Sequence, residues 1–186
     1  MAHWETLLAE IVRDRRSALV GYACLFTLDW GDAEDLVQEA LVRTFSRRRS
    51  FPNARAAEGY VRQAVLTAFL DGHRRRKAWG RQEHLLVGES AERSPEDTAA
   101  VGLDVQAALA GLAPRERACV VLRFCDDLLV ADIAVELRLS EGAVKRYLFD
   151  GTRKLRATLG DGVTWRDEEL VESEFVTAVV EERSRS

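Results

Sequence analysis

The stretch Val130-Ala131-Asp132-Ile133-Ala134-Val135-Glu136-Leu137-Arg138-Leu139-Ser140-Glu141-Gly142-Ala143-Val144-Lys145-Arg146-Tyr147-Leu148 decides the fold class of this chain. Its apolar residues recur at three- and four-residue intervals, the spacing of two short helices and not the alternation of a strand. Ile133, Ala134 and Leu137 on the first helix face Val144 and Leu148 on the second, which fixes the pair at an angle as in a helix-turn-helix. Ser140 is a good N-cap for the second helix. Gly142 and Ala143 are small enough for close approach to a duplex, and the exposed helix start offers Glu141, Lys145 and Arg146 to a major groove and its phosphates. The bland alternative is a purely structural helical hairpin.

Outward from that hairpin the helical spacing persists. Upstream, helices are expected at Val101–Ala110 and Pro114–Phe124, the latter with proline in the first turn, and the hairpin's second helix extends from Ser140 to Leu159. Between Gly80 and Asp97 the pattern fails among Gly88, Ser90, Ser94, Pro95 and acidic residues, as in a linker. Before it, a helix is expected from Trp4 to Leu28, broken by Trp30-Gly31-Asp32. Asp32 then caps a second helix, with Asp35 adding charge near its positive end. In that helix Leu36, Val37, Ala40, Leu41 and Phe45 face inward, leaving Glu34, Asp35, Gln38, Glu39 and Arg43 exposed. After the loop at Pro52 and Asn53, Ala56–Lys77 reads as a long helix with the strongly basic end His73-Arg74-Arg75-Arg76-Lys77. The fold class is all-α: two small helical domains, residues 1–78 and 101–160, joined by a flexible acidic linker, 79–100, and followed by an acidic extension, 161–186.

A net charge of −4 argues at first against nucleic acid as a partner. By segment the picture differs: residues 1–78 carry +3, 79–110 carry −4, 111–160 carry +2 and 161–186 carry −5. Two mildly basic blocks alternate with two acidic ones, so surfaces for DNA survive beneath the total. The three cysteines, Cys24, Cys119 and Cys125, lack CxxC spacing and sit among apolar residues, which reads as small buried hydrophobes in a reducing compartment. His3, His73 and His84 are scattered, so no metal site and no cofactor are expected. No apolar run approaches the roughly 20 residues of a membrane span, and the start has no secretory pattern. A cytoplasmic protein without membrane insertion is expected. No Ser/His/Asp set, phosphate loop or paired metal carboxylates suggest catalysis, so the chain is read as not an enzyme.

The basic helix end is by itself an ordinary solvated terminus. It shares a helix with Tyr60, Arg62, Gln63 and Thr67, whose side chains suit stacking on, or hydrogen bonding to, unpaired bases.

Here the chain resembles a family. Asp32-Ala33-Glu34-Asp35-Leu36-Val37-Gln38-Glu39-Ala40-Leu41-Val42-Arg43-Thr44-Phe45 looks like region 2 of the extracytoplasmic-function (ECF) sigma factors. The resemblance implies that Glu34, Asp35, Gln38, Glu39 and Arg43 dock on the clamp helices of the largest subunit of core RNA polymerase. Tyr60–Arg76 is similar to the family's next helix, which melts and reads the minus-10 promoter element; Tyr60, Arg62, Gln63, Thr67, His73, Arg74, Arg75 and Arg76 are the implied contacts. Leu112-Ala113-Pro114-Arg115-Glu116-Arg117 and the helix-turn-helix resemble region 4, implying minus-35 contacts from Arg117, Ser140, Glu141, Gly142, Ala143, Lys145, Arg146 and Tyr147. The resemblance covers roughly residues 5–160 in order. It implies an acidic linker lying in a basic polymerase channel, and an anti-sigma factor as an additional partner. Four positions depart from the family pattern: Thr67 stands for the usual Asn, Tyr60 for the usual Trp, and Tyr147 and Asp150 for Arg.

In the extension, Trp165, Leu170, Val171, Phe175, Ala178 and Val179 fall on one helical stripe with acidic residues around it. It reads either as packing on the second domain or as an acidic cover for that domain's basic face. Two other functions stay open at this point: a helix-turn-helix regulator acting without core polymerase, and a polymerase-binding adaptor that does not recognise DNA.

Overall fold

The computed structural model describes residues 3–46, 50–79 and 103–159. Where the sequence suggested one opening helix there are two, α1 (His3–Asp14) and α2 (Arg16–Thr27). The joint is Arg15, at φ −124° and ψ −8°. The ladder bends there without breaking: Arg15 N donates to Ile11 O and Leu19 N to Arg15 O, both at 2.9 Å. Leu7, Ile11 and Leu19, in step on either side of the joint, are all buried, so the apolar spacing runs straight through a bend it does not reveal.

The next break also lies elsewhere than expected. Leu28, at φ 64°, is the left-handed residue that ends α2, its N–H reaching Cys24 O at 2.9 Å. Asp29, extended, is then the cap of α3 (Trp30–Phe45): its carboxylate accepts from Asp32 N at 2.8 Å. Asp32 is therefore the capped residue and not the cap. Trp30 and Gly31 lie in the first helical turn, where a glycine is tolerated. Along α3, Ala33, Val37, Ala40, Thr44 and Phe45 are buried, while Leu36 and Leu41 are half-buried against the core.

α4 (Ala54–Trp79) starts two residues before its expected position because Asn53 accepts from Ala56 N at 2.8 Å and caps it. The later helices fall close to their expected bounds: α5 (Leu103–Ala110), α6 (Pro114–Phe124), α7 (Val130–Leu137) and α8 (Glu141–Leu159). Ser140 caps α8 through a 3.2 Å bond from Ala143 N to its Oγ. Arg138, at φ 52° and ψ 51°, makes the turn between α7 and α8, and Leu139 N closes it on Ala134 O at 2.9 Å. At α6, Pro114 fills the first turn and Glu116 reaches back to Ala113 N at 2.8 Å.

Two bodies result. α1 to α4 pack around Leu19, Phe26, Val37, Val61 and Val65, with Phe26 ringed by Tyr22 and Phe69. α5, α6 and α7 pack on α8 around Val121, Ile133, Val144 and Leu148. Fully burying such side chains contributes about 1.5–3 kcal/mol each, more than the exposed ion pairs supply, so apolar spacing governs the fold. The bodies touch where α2 meets α5 and α6, and where α4 meets α6.

Of the cysteines, Cys24 and Cys119 are buried as expected, whereas Cys125 is exposed at the end of α6. The described residues are all-helical or loop, and none of their helices is long and apolar enough to cross a membrane. The expected linker, apart from Trp79, and the 161–186 extension with its apolar stripe lie outside the described residues.

Candidate nucleic-acid interface

On α4, Tyr60, Gln63 and Thr67 fall at intervals of three and four, hence on one face. With Arg43, Thr44 and Ser46 from the end of α3, and Ala64, they line an open cleft of about 460 Å³. Tyr60 is 45% exposed, yet its ring is not loose. It lies 5.1 Å from the Phe51 ring, which lies 5.7 Å from Phe45, so an aromatic stack rooted in the core presents one ring to solvent. Thr67 Oγ1 donates to Gln63 O at 2.9 Å, so its oxygen retains acceptor capacity. A rigid aromatic platform beside hydroxyl, amide and guanidinium groups is what an unstacked base needs.

Arg43, grouped by sequence with the docking residues of α3, lines this cleft as well and pairs with Glu39 at 2.7 Å. Asp35, Gln38 and Glu39 are exposed; Glu34 is half-buried and held by Arg16 at 2.9 Å.

Arg62 points away from Tyr60. Its guanidinium lies 4.7 Å from the centre of the Tyr22 ring and donates to Asp126 at 2.9 Å, a residue of the second body. The basic helix end opens a second cleft, of about 430 Å³, where His73, Arg75 and Arg76 stand with Asp32, Asp35 and Glu39, beneath Pro114 and Arg117. Arg74 is exposed and pairs loosely with Asp71 at 3.6 Å. The structure thus gathers the implied minus-10 residues into three settings: Tyr60, Gln63 and Thr67 in the first cleft, His73 to Arg76 at the helix end, and Arg62 at the junction between the bodies.

On α8 the exposed side chains of the first turns are Glu141, Lys145 and Arg146, with Gly142 beside them. Ala143 is half-buried, and Tyr147 packs partly against the core, so only its edge reaches the outer face. Asp150 stands 3.9 Å from Arg146 and 3.7 Å from Arg153, drawing the arginines along the helix. Arg117, the remaining residue implied for the minus-35 element, does not share this exposed face. Arg117 is buried, donating to Phe26 O at the end of α2 and to Leu112 O at 3.3 Å. Removal from water holds its guanidinium below the usual arginine pKa.

Sequence reasoning missed Tyr22, Asp126 and Glu136. Tyr22 donates from its hydroxyl to Asp126 at 2.8 Å, and Gln63 donates to Glu136 at 3.1 Å. Burial and the Asp126 carboxylate push the Tyr22 phenol far above its ordinary pKa, so it stays a donor. No spacing signal connects residues this far apart in the chain.

An open cleft with an aromatic platform on one helical body and a helix-turn-helix on the other define a two-body all-α protein of the DNA-binding class. Residues 11–79 match the family model Sigma-70 region 2, and residues 102–155 match Sigma-70, region 4. The chain is 35% identical over 162 residues to the RNA polymerase sigma-E factor of Streptomyces avermitilis, covering 86% of this chain and 89% of that one. It is 32% identical over 168 residues to the ECF RNA polymerase sigma factor SigL of Mycobacterium tuberculosis, covering 86% and 94% respectively. In fold it is similar to the sigma factor RpoE of Bartonella quintana, solved in complex with the anti-sigma factor NepR: TM-score 0.64 at 20% identity, over 83% of this chain and 97% of that one. The chain belongs to the ECF sigma factors of RNA polymerase, which bind the core enzyme and direct it to promoters.

Proposed function

We propose that this sigma factor opens and reads the minus-10 element with the α4 face and reads the minus-35 element with the start of α8. The observation that carries the reading is the Tyr60 platform, a solvent-facing ring fixed by Phe51 and Phe45 beside Gln63, Thr67 and Arg43. A non-template base leaving the duplex stacks on Tyr60, and Thr67 and Gln63 hydrogen-bond its edge, so that melting is driven by capture. The basic end His73–Arg76 follows the phosphates, with a salt-dependent attraction. Lys145 and Arg146 enter the major groove, flanked by Ser140, Glu141, Gly142, Ala143 and the edge of Tyr147. Asp35, Gln38 and Glu39, with Glu34 behind them, dock on core polymerase.

In this reading residues 1–78 and 101–160 act as separate anchors joined by the linker 79–100, and the chain works in the cytoplasm beside polymerase, with no catalytic residue and no cofactor. An anti-sigma factor is a further proposed partner, supported by the complex in which the Bartonella relative was solved.

The test is run-off transcription from a pool of promoter fragments with purified core polymerase, with and without this protein. New discrete transcripts that depend on it are expected, and their start sites supply both promoter elements. Duplex binding by the protein alone, with no transcript even after deletion of residues 161–186, would replace this reading by that of a helix-turn-helix regulator acting without core polymerase.

A further inference from the structure

The cleft at the basic end of α4 combines features that a promoter role leaves unexplained. Arg117 forms part of its wall and is 9% exposed, its two terminal nitrogens donating to the carbonyls of Phe26 and Leu112. Its Nε has no hydrogen-bond partner, and no carboxylate pairs with it among the described residues. A buried guanidinium held only by neutral carbonyls is desolvated without a counter-charge, which is costly until an anion completes it. Arg75 and Arg76, exposed on α4, open onto the same space. Guanidinium groups from two helices thus converge on one cleft of about 430 Å³, inside the roughly 300–1,000 Å³ range of small-molecule pockets. α3 contributes the opposite sign: Asp32, Asp35 and Glu39 line the cleft at intervals of three and four residues. Among the described residues no group of carboxylates or imidazoles is arranged to hold a metal ion. These carboxylates therefore act as acceptors, which take N–H donors and repel a bare polyanion. Half-buried Leu36 and the edge of Phe69 add apolar surface. A ligand that satisfies every wall carries phosphate at one end and, at the other, a flat ring edged with N–H donors.

We propose that this cleft binds a purine nucleotide, with its phosphates on Arg117, Arg75 and Arg76 and its base edge on the carboxylates of α3. Planar guanidinium groups hold phosphate oxygens through paired N–H bonds, and Arg117 Nε is the donor left over for one of them. A terminal phosphate is nearly doubly charged and compact, so it can reach a guanidinium buried to this depth. The phosphodiesters of a duplex instead track exposed cations such as Arg74. Of the purines, guanine fits the acidic wall better. Its N1–H and exocyclic amine lie side by side and match the two oxygens of one carboxylate, whereas adenine sets an acceptor beside its amine. Asp35 and Glu39 belong to the proposed polymerase-docking face, and Arg75 and Arg76 to the proposed DNA contacts. On that reading, a bound nucleotide competes with both partners and couples initiation to the supply of the nucleotide.

The test is isothermal titration calorimetry on the full chain, without polymerase or DNA, using guanosine diphosphate, adenosine diphosphate and inorganic pyrophosphate at fixed ionic strength. Saturable binding of guanosine diphosphate is expected, with the other two probes weaker by at least about tenfold. Arg76→Gln and Arg117→Lys should each weaken it by roughly 10- to 100-fold, the loss of a charged phosphate contact. Asp35→Asn should narrow the preference for the nucleotide over pyrophosphate. Arg13→Gln removes the same charge from an exposed position on α1 and should leave affinity nearly unchanged. Circular dichroism checks that Arg117→Lys keeps its helices; should it not fold, Arg76→Gln decides alone. Absence of guanosine diphosphate binding at millimolar concentration overturns the proposal. So does pyrophosphate binding as tightly as the nucleotide, or an equal loss in Arg13→Gln and Arg76→Gln, since either marks a diffuse basic surface. Adenosine diphosphate binding as tightly as guanosine diphosphate overturns the reading of the base edge by α3. A second titration adds core polymerase, which guanosine diphosphate is expected to displace. Nucleotide binding that leaves polymerase association unchanged would overturn the docking role of Asp35 and Glu39 and leave the nucleotide site standing.

Discussion

Gly151 lies where α8 crosses α6, and adding one methyl group there tests how the recognition helix is seated. A Cβ at this position would stand 2.8 Å from Val120 Cγ2 and 3.7 Å from Glu116 Cβ. Carbon atoms settle at about 3.5–4.0 Å, so the new methyl overlaps its neighbour. Val120 is 4% exposed and has no long side chain to swing aside. Overpacking of this kind costs about 1–3 kcal/mol, against a gain of about 0.8–1.0 kcal/mol for replacing glycine by alanine inside a helix. Gly151→Ala should therefore lose about 1 kcal/mol net, which lowers Tm by about 4–8 °C for a domain of this size. Gly59 provides the control: it lies on the exposed side of α4, with nothing within 4 Å of an added Cβ, so Gly59→Ala should gain the helix term alone. Circular-dichroism melts of the full chain and amide exchange along α6 and α8 are the measurements. Val120→Ala in the same molecule removes the overlapping methyl, so the double variant should be more stable than the sum of its parts by about 1–2 kcal/mol. Equal stabilisation by Gly151→Ala and Gly59→Ala would refute the close packing of α8 on α6 deduced here.

Tyr60→Ala should weaken single-stranded DNA binding by about 1–3 kcal/mol per stacked base, while Tyr60→Trp should match or exceed the parent, measured by fluorescence titration. Loss of binding in both would point to damage of the Phe51 and Phe45 stack. Lys145→Ala and Arg146→Ala should each reduce the steepness of the salt dependence of duplex binding by about one unit if they meet phosphate, and change promoter preference instead if they meet a base edge. Cys119 has its thiol pushed up to about 12 by burial. The folded chain keeps that proton above pH 9 where the unfolded chain sheds it, so stability from this group is complete below pH 9 and falls between 9 and 12 by at most about 1.4 kcal/mol per pH unit. Urea midpoints against pH should therefore fall less steeply for Cys119→Ala over that window, and an unchanged slope would exclude the thiol as a cause.

The second domain was legible almost to the residue because its signals are local. Pro114 and Ser140 start helices by their own chemistry, and Ile133, Leu137, Val144 and Leu148 repeat at helical spacing within a short span. The first domain misled at two points where local rules compete. The bend at Arg15 leaves the spacing of Leu7, Ile11 and Leu19 intact, so nothing in the pattern marks it. At the next break, glycine and aspartate in Trp30-Gly31-Asp32 drew the cap three residues too far along, because the left-handed position is filled by Leu28, a residue that seldom takes it. On α4, the sequence placed Tyr60, Arg62, Gln63 and Thr67 on one helix, but only the structure separates Arg62 from the face shared by the other three. Phe51, which holds Tyr60 in place, was not legible, since it comes from the loop before that helix.

Arg117 shows why charge in particular resists sequence reading. The family resemblance implied that it meets DNA, yet the same cation also satisfies the Phe26 carbonyl at the end of α2, where a helix presents its negative pole. Both partners offer oxygen acceptors with partial or full negative charge, so the residue type fits either, and only the position of the first body decides between them. The same holds for Asp126, whose charge looks out of place in a DNA-binding domain until Arg62 and Tyr22 are found opposite it. Summing the charges of a segment erases pairings of this kind, because the carboxylate and the guanidinium it holds lie far apart in the chain and count toward different segments.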